Sequence, residues 1–133
     1  MPAADPRAPI GFVGVGLMGG AIARRLVAKG FAVLAYDTNP QTLERITAHG
    51  VTAARSTREV ADRCEIVLAC LPTAEICKAV ALGDGGVAGG KRVQVYVETS
   101  TIGSAAADEI AQGLSRHGVA YVDAPVVGGV IAC

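Results

Sequence analysis

The sequence predicts an α/β fold with a doubly wound parallel sheet, built as a single domain. Its 133 residues have the length of one domain. Hydrophobic residues make up 51% of the chain and charged residues 18%, which gives enough apolar surface for a packed core. Short runs rich in Val and Ile alternate with longer helical patterns. This alternation is typical of a parallel sheet that helices cover on both faces.

The apolar runs predict six strands. They span residues 10–13, 32–36, 51–53, 66–69, 93–97 and 120–122. Residues 1–9 contain three prolines and are predicted to form a flexible leader, so the domain itself is expected to span residues 10–133. The glycine-rich stretch 83–90 is predicted to be a mobile loop.

Glycines and polar caps mark the ends of the helices between these strands. Glycine readily adopts the left-handed conformation that ends a helix, and three ends are predicted in this way, at Gly30, Gly50 and Gly118. A helix is predicted to start at Asn39, which Pro40 follows, and another at the capping box that begins with Ser56. Ser104 is predicted to cap the last helix.

Charge and cysteine content exclude several classes of function. Twelve basic residues balance twelve acidic ones, so nothing in the net charge favours nucleic acid as a partner. The chain contains no apolar run of the roughly 20 residues that a membrane helix needs. The four cysteines form no C-x-x-C pair, so no metal site is expected, and they are predicted to be free thiols of a cytoplasmic protein. Residues 10–23 could suit a secretion signal, but five glycines weaken that alternative.

A glycine motif follows the first predicted strand. Its sequence is G-x-G-x-x-G, formed by Gly14, Val15, Gly16, Leu17, Met18 and Gly19. In a strand-turn-helix context the first glycine permits the tight turn, the second lets a pyrophosphate approach the backbone, and the third lets the helix lie close to the strand. The start of the following helix then supplies unpaired N–H groups and a partial positive charge to the phosphates.

An acidic residue supports the same interpretation. Asp37 lies 18 residues after Gly19, at the end of the second predicted strand, where it can accept hydrogen bonds from an adenosine ribose. Its charge would repel a 2′-phosphate, so the sequence predicts a Rossmann-type domain that binds NAD, with NADP as the alternative cofactor. A merely structural glycine turn and a methyltransferase are the other interpretations. The tyrosine-lysine pair of short-chain dehydrogenases is missing.

Three later segments follow predicted strands, at the edge of the sheet where open parallel sheets bind ligands. They are residues 71–73, 98–103 and 123–129. Without further information each has a purely structural explanation, as the end of a strand, a helix cap and a turn.

From residue 10 onward the sequence resembles the β-hydroxyacid dehydrogenase family, which includes 3-hydroxyisobutyrate, tartronate semialdehyde and threonate-type dehydrogenases and is related to 6-phosphogluconate dehydrogenase. Four segments in order carry the resemblance: IGFVGVGLMG, LPT, TSTIG and DAPVVGG. It implies that the glycine loop and Asp37, together with Leu71, Pro72 and Thr101, contact the nicotinamide cofactor. It also implies that a short 3-hydroxy acid is held by Ser100, Val127, Gly128 and Gly129.

The chain departs from the family pattern at several positions. The family usually has Asp in place of Glu98, Pro in place of Ser104 and Ser in place of Val127. The last difference removes a hydroxyl from the implied substrate site, so the usual substrate or its affinity is in question.

The family continues into a helical domain that supplies a catalytic lysine and helps to form a dimer, whereas this chain stops at Cys133. No lysine here matches that acid/base, so no catalytic residue is assigned. We expect the cofactor domain of an oxidoreductase, which retains binding and has largely lost turnover. A non-catalytic dinucleotide-binding module is the alternative, and a homo-oligomer is a further expectation.

Overall fold

A computed structural model describes residues 8–126 of the chain. They form one six-stranded sheet in which every neighbouring pair of strands is parallel. The strands are β1 (Ile10–Val13), β2 (Val33–Tyr36), β3 (Thr52–Ala53), β4 (Ile66–Ala69), β5 (Val95–Glu98) and β6 (Ala120–Asp123). Their spatial order is β3-β2-β1-β4-β5-β6, as in the doubly wound Rossmann fold, so the predicted fold class is confirmed.

Helices connect the strands. They are α1 (Leu17–Ala28), α2 (Pro40–Thr47), α3 (Thr57–Arg63), α4 (Ala74–Leu82) and α5 (Ser104–Ser115), and a short 3₁₀ helix spans Val87–Gly89. The chain winds outward in one direction through β2 and β3, then crosses back to β4 and winds in the other direction. The connections that leave β1 and β4 therefore diverge, and this divergence opens a crevice at the carboxyl ends of these two strands.

Each face of the sheet carries its own apolar core. Phe12 and Val13 are adjacent in β1 and point to opposite faces, because successive strand residues alternate. Phe12 packs in the cluster that includes Ala23 of α1 and Ile46 of α2. Val13 belongs to the larger cluster under α3, α4 and α5. None of the helices within residues 8–126 is long and apolar enough to cross a membrane.

The strand predictions hold except at the ends. Strand β5 begins two residues later than predicted, because the N–H groups of Val93 and Gln94 bond outside the sheet. The Val93 N–H donates to the Ala61 carbonyl in α3, and the Gln94 N–H donates to the carbonyl of Glu65, one residue before β4. Strands β5 and β6 each continue one residue further than predicted, since Glu98 and Asp123 are partners in the register. Strands β2 and β3 each start one residue later.

Most of the predicted helix signals are confirmed. Gly30, Gly50 and Gly118 all have positive φ. The Asn39 side chain accepts the N–H groups of Gln41 and Thr42 ahead of α2. Ser56 Oγ accepts the Glu59 N–H at 3.0 Å, but the Glu59 carboxylate returns to the N–H of Arg55 and not to that of Ser56.

One local prediction is wrong. Ser104 does not cap α5, because Gly103 holds the cap position with φ 83° and Ser104 is the first helical residue. The stretch 83–90 forms turns around a 3₁₀ helix, and its mobility stays a prediction. Val87 and Ala88 are buried within its 3₁₀ turn, and Arg58 Nε donates to the Gly86 carbonyl at 3.1 Å, so the segment packs against α3.

Candidate functional site

The glycine loop between β1 and α1 forms the centre of the crevice. Gly14 has φ +89°, and its N–H donates to the Tyr36 carbonyl at 3.0 Å, which ties the loop to β2. A side chain on Gly14 would overlap the carbonyl of Cys70, and one on Gly19 would overlap the carbonyl of Gly14. These two glycines are therefore required by packing within the protein.

Gly16 differs from both of its neighbours in the motif. A Cβ atom at Gly16 would meet nothing within 4 Å, so the protein itself places no demand on glycine at this position. Gly16 is also the N-cap of α1, which has no side-chain cap and no acidic residue in its first turn. The free N–H groups and the positive end of the helix dipole thus face open space, as a pyrophosphate requires. The loop fits the phosphates of a dinucleotide.

Asp37 joins the loop to the end of β2. Its Oδ2 accepts the Val15 N–H at 3.0 Å, and its Oδ1 accepts the Asn39 N–H at 2.9 Å. Each carboxylate oxygen has two lone pairs, so both can still accept a hydrogen bond from a ligand hydroxyl. Asp37 is half-buried and lines the crevice. The carboxylate can therefore brace the loop and bind a ribose at the same time.

A small cleft between α1 and α2 has Arg24, Arg45 and His49 in its lining and also reaches Gly16. Two larger clefts flank Gly16. The first has a volume of about 840 Å³, counting space open to solvent, and reaches Asp37, Thr38 and Asn39. The second has about 660 Å³ on the same measure and reaches the start of α1 and the end of β5. Both share one wall, which is formed by Gly16, Cys70, Leu71 and Pro72. A nucleotide at each end of a pyrophosphate that crosses Gly16 matches this arrangement.

The predicted cofactor residues converge on these clefts. Gly14 and Asp37 line the first cleft, the wall common to both contains Gly16, Leu71 and Pro72, and the second cleft is lined by Leu17, Met18, Gly19 and Thr101. Val15 lines neither cleft, because its side chain is buried in the core and only its N–H takes part, toward Asp37.

Ser100, predicted to hold a substrate, lines the second cleft beside Thr101. Val127, Gly128 and Gly129 lie outside the described residues.

Residues 98–100 connect the loops that surround the second cleft. The Thr99 hydroxyl donates to the Ala69 carbonyl at 2.8 Å, and Ser100 Oγ accepts the Leu71 N–H at 2.7 Å, so both residues hold the segment after β4. The Val126 N–H donates to the Thr99 carbonyl at 3.2 Å, which holds the segment after β6. Three strand ends are thereby fixed to one short stretch of chain.

Sequence reasoning missed the buried carboxylate beneath this stretch. Glu98 is 0% exposed; its Oε1 accepts the Tyr96 hydroxyl at 3.1 Å and its Oε2 accepts the Ser100 hydroxyl at 2.8 Å. The Cys77 thiol also donates to it. No salt bridge within residues 8–126 involves Glu98. The available signal was an acidic residue that ends an otherwise apolar strand.

Burial changes the protonation behaviour of this group. Desolvation raises the pKa of Glu98, although the hydrogen bonds from Ser100, Tyr96 and Cys77 act in the opposite direction. The pKa of Cys77 is raised to about 12, mainly by burial and then by the charge of Glu98. With Glu98 ionised, Ser100 gives its one proton inward, so toward the cleft its oxygen can act only as an acceptor.

Lysines lie away from the clefts. Lys78 Nζ pairs with Glu109 at 2.9 Å on the surface between α4 and α5, and Lys29 caps the far end of α1. The N–H of Lys91 donates to Asp62 after the 3₁₀ turn. Among the described residues, Asp37 is the one charged side chain that lines either cleft.

Fold and crevice together define a Rossmann-type dinucleotide-binding domain. The sequence model of one family, described as the NAD binding domain of 6-phosphogluconate dehydrogenase, matches residues 9–133. The chain belongs to this family.

Individual relatives agree with this assignment. The chain is 30% identical over 125 residues to mouse mitochondrial 3-hydroxyisobutyrate dehydrogenase, covering 93% of this chain and 37% of that protein. It is 35% identical over 121 residues to 2-(hydroxymethyl)glutarate dehydrogenase of Eubacterium barkeri, covering 90% and 40% respectively. A solved structure of Mycobacterium tuberculosis 3-hydroxyisobutyrate dehydrogenase with L-serine superposes with a TM-score of 0.83 at 31% identity, covering 93% of this chain and 42% of that one. The chain thus spans about two fifths of the length of these relatives.

Proposed function

We propose that this chain is the NAD-binding part of an oxidoreductase that transfers hydride between a nicotinamide cofactor and a short 3-hydroxy acid. The observation that carries the proposal is the open space at Gly16, flanked by one cleft on each side. When bound, the nicotinamide accepts hydride from a carbinol carbon or returns it to a carbonyl. The residues of this chain bind and orient the cofactor.

Asp37 supports NAD as the preferred cofactor. Its carboxylate keeps lone pairs free for the ribose hydroxyls after its bonds to Val15 and Asn39, and its negative charge disfavours a 2′-phosphate. The β2–α2 loop begins with Thr38 and Asn39, so it offers that phosphate no basic side chain next to Asp37. NADP remains the second choice.

The second cleft is the proposed place of the nicotinamide and the substrate. Thr101 is exposed there and supplies a hydroxyl near the end of the wall that Leu71 and Pro72 form. Ser100 Oγ has one lone pair left after accepting from Leu71, and this lone pair can accept a hydrogen bond from the hydroxyl of a 3-hydroxy acid. Val127, Gly128 and Gly129 are proposed to receive the substrate's carboxylate. The names of the relatives support this substrate class.

A second candidate function is dinucleotide binding without turnover. The observation that favours it is that no lysine or histidine among the described residues lines either cleft, so none of them supplies a conventional acid/base. In this alternative the chain binds the cofactor and leaves proton transfer to another part of a protein.

The environment and further partners of the chain are also part of the proposal. Cys64 and Cys77 are buried free thiols, which supports a reducing compartment, and we propose the cytoplasm. The name of the mouse relative places that protein in mitochondria. The zero formal charge argues against nucleic acid as a partner. Self-association is proposed in keeping with the family resemblance.

Calorimetric titration with NAD⁺, NADH and NADP⁺ tests the binding proposal. We expect saturable binding with NAD⁺ tighter than NADP⁺; folded protein that binds none of the three would refute it. A turnover assay with NAD⁺ and a panel of 3-hydroxy acids then separates the two candidates. Activity above that of Gly16→Ala supports catalysis by this chain, whereas binding without turnover supports the binding module.

A further inference from the structure

The contacts of Glu98 point to a role in the cofactor site, although Glu98 itself cannot touch a ligand there. We infer that Glu98 is a positioning residue for the cofactor site. Through Ser100 it fixes the position of Leu71 and Pro72, the part of the common wall that follows β4. This inference rests on the proposed binding of a nicotinamide dinucleotide in these clefts.

The connection consists of two hydrogen bonds in series. Glu98 Oε2 accepts the Ser100 hydroxyl at 2.8 Å, and Ser100 Oγ accepts the Leu71 N–H at 2.7 Å. The first bond fixes the direction of the hydroxyl, so a lone pair of Ser100 Oγ points at Leu71. A chain of this kind strengthens each of its members, because each bond polarises the next.

The position of Glu98 makes it suited to this role and to no direct one. Its side chain is fully buried and lines neither cleft, whereas Ser100 lines the second cleft and Leu71 lines both. Its other oxygen is held by Tyr96, which packs against Tyr121 of the neighbouring strand with 6.2 Å between ring centroids. The carboxylate is thus anchored in the core on one side and acts on the loop on the other.

A dinucleotide bound across both clefts must pass Leu71 and Pro72. Leu71 and Pro72 line both clefts together with Gly16, so a shift of this segment changes the shape of both clefts there. Thr99 holds the chain two residues before Leu71, at Ala69, but makes no hydrogen bond to Leu71. Within residues 8–126, the acceptor of the Leu71 N–H is Ser100 Oγ, which Glu98 orients.

Glu98→Gln and Ser100→Ala test the inference. Gln keeps the shape of the side chain but replaces one of the two accepting oxygens with an NH₂ group, which donates and cannot accept, so the bond from Tyr96 or that from Ser100 is lost; Ala deletes the Ser100 hydroxyl. We expect each variant to raise the Kd for NADH about five- to tenfold, the effect of one lost hydrogen bond. Because both act through one chain of bonds, the double variant should bind about as weakly as the weaker single variant.

A second readout needs no cofactor. Amide hydrogen exchange of Leu71 should become faster in both variants while exchange in the strands stays at the wild-type level. Ile110→Val is the matched control, since it loosens a fully buried residue of α5 that lines neither cleft. This control should lower thermal stability and leave the NADH Kd within twofold of wild type.

Specific results would overturn the inference. Folded Glu98→Gln that binds NADH within twofold of wild type would do so, and so would an equal loss of affinity in Ile110→Val. Should Glu98→Gln fail to fold, Ser100→Ala decides alone, by its Kd and by its Leu71 exchange. If the wild type binds no NADH, the proposed function fails, and the Leu71 exchange rates still decide whether Glu98 holds the wall.

Discussion

The Asp37 carboxylate accepts the main-chain N–H of Val15 at 3.0 Å, although the two residues are 22 positions apart in the chain. This bond ties the end of β2 to the turn that follows β1. The second oxygen of Asp37 accepts the Asn39 N–H and orders the start of the next loop. One side chain therefore shapes the rim of the first cleft and also presents its remaining lone pairs to a ligand.

Replacing Asp37 should change both affinity and cofactor preference. In Asp37→Ala we expect the Kd for NAD⁺ to rise by about tenfold or more, since hydrogen bonds to a charged group contribute about 1.5–3 kcal/mol each. The gap between NAD⁺ and NADP⁺ should narrow, because the charge that opposes a 2′-phosphate is gone. Calorimetry with both cofactors measures the ratio, and an unchanged ratio would remove the role assigned to the carboxylate.

The three glycines of the loop should respond differently to alanine. Gly16→Ala should fold with wild-type stability, because its Cβ meets nothing within 4 Å, and should lose most of its affinity for NAD⁺ because the methyl group occupies the path of the pyrophosphate. Gly14→Ala, its control, should instead unfold at lower temperature, since it combines φ +89° with overlap on Cys70. Thermal melts and titrations of the two variants separate these effects. A strongly destabilised Gly16→Ala would contradict the assignment.

Stability should depend on pH through Glu98. Burial raises its pKa in the folded state above the ordinary value of 4.5, so the folded chain keeps its proton at pH values where the unfolded chain has released it. The stabilisation from this group is complete below pH 4.5 and is lost as the pH rises through the folded-state pKa.

Chemical denaturation of the wild type and Glu98→Gln across this range measures the effect. The free energy of unfolding of the wild type should fall relative to the variant as the pH rises. The neighbouring Tyr96 and Cys77 both have raised pKa values and stay neutral in this window. A difference that grows in the opposite direction would show that the hydrogen bonds to Glu98 outweigh its burial.

The buried thiols should be chemically inert. Burial raises the pKa of Cys64 to about 11 and that of Cys77 to about 12, so almost no thiolate is present at pH 8. Alkylation with iodoacetamide followed by peptide mass spectrometry should leave both unlabelled in folded protein and label both in denaturant. Rapid labelling of either one under native conditions would mean that the core around it opens.

Local features of the site could be predicted from the sequence, and features that depend on distant neighbours could not. The glycine loop and the Asn39 cap are dictated by residues within a few positions of one another. Asp37 could be placed at the end of β2 by the same spacing. Its bond to Val15 could not be foreseen, because it requires β1 and β2 to be adjacent.

The role of Glu98 illustrates the same limit. In the sequence it is an acid after a strand, and only the fold shows that Tyr96, Ser100 and Cys77 surround it. The late start of β5 has a similar cause. Val93 is apolar enough for a strand, but its N–H is taken by Ala61 at the end of α3, a partner that the linear pattern does not reveal.

In the proposed mode of binding, the open space at Gly16 leaves recognition of the pyrophosphate to the main chain. Main-chain N–H groups at a helix start are the same whatever side chains surround them, so this part of the binding is insensitive to changes in sequence. Selectivity then rests on the few side chains at the far ends of the two clefts, among them Asp37 and Thr101. New preferences for cofactor or substrate can therefore arise by exchanging peripheral residues while the central passage stays as it is.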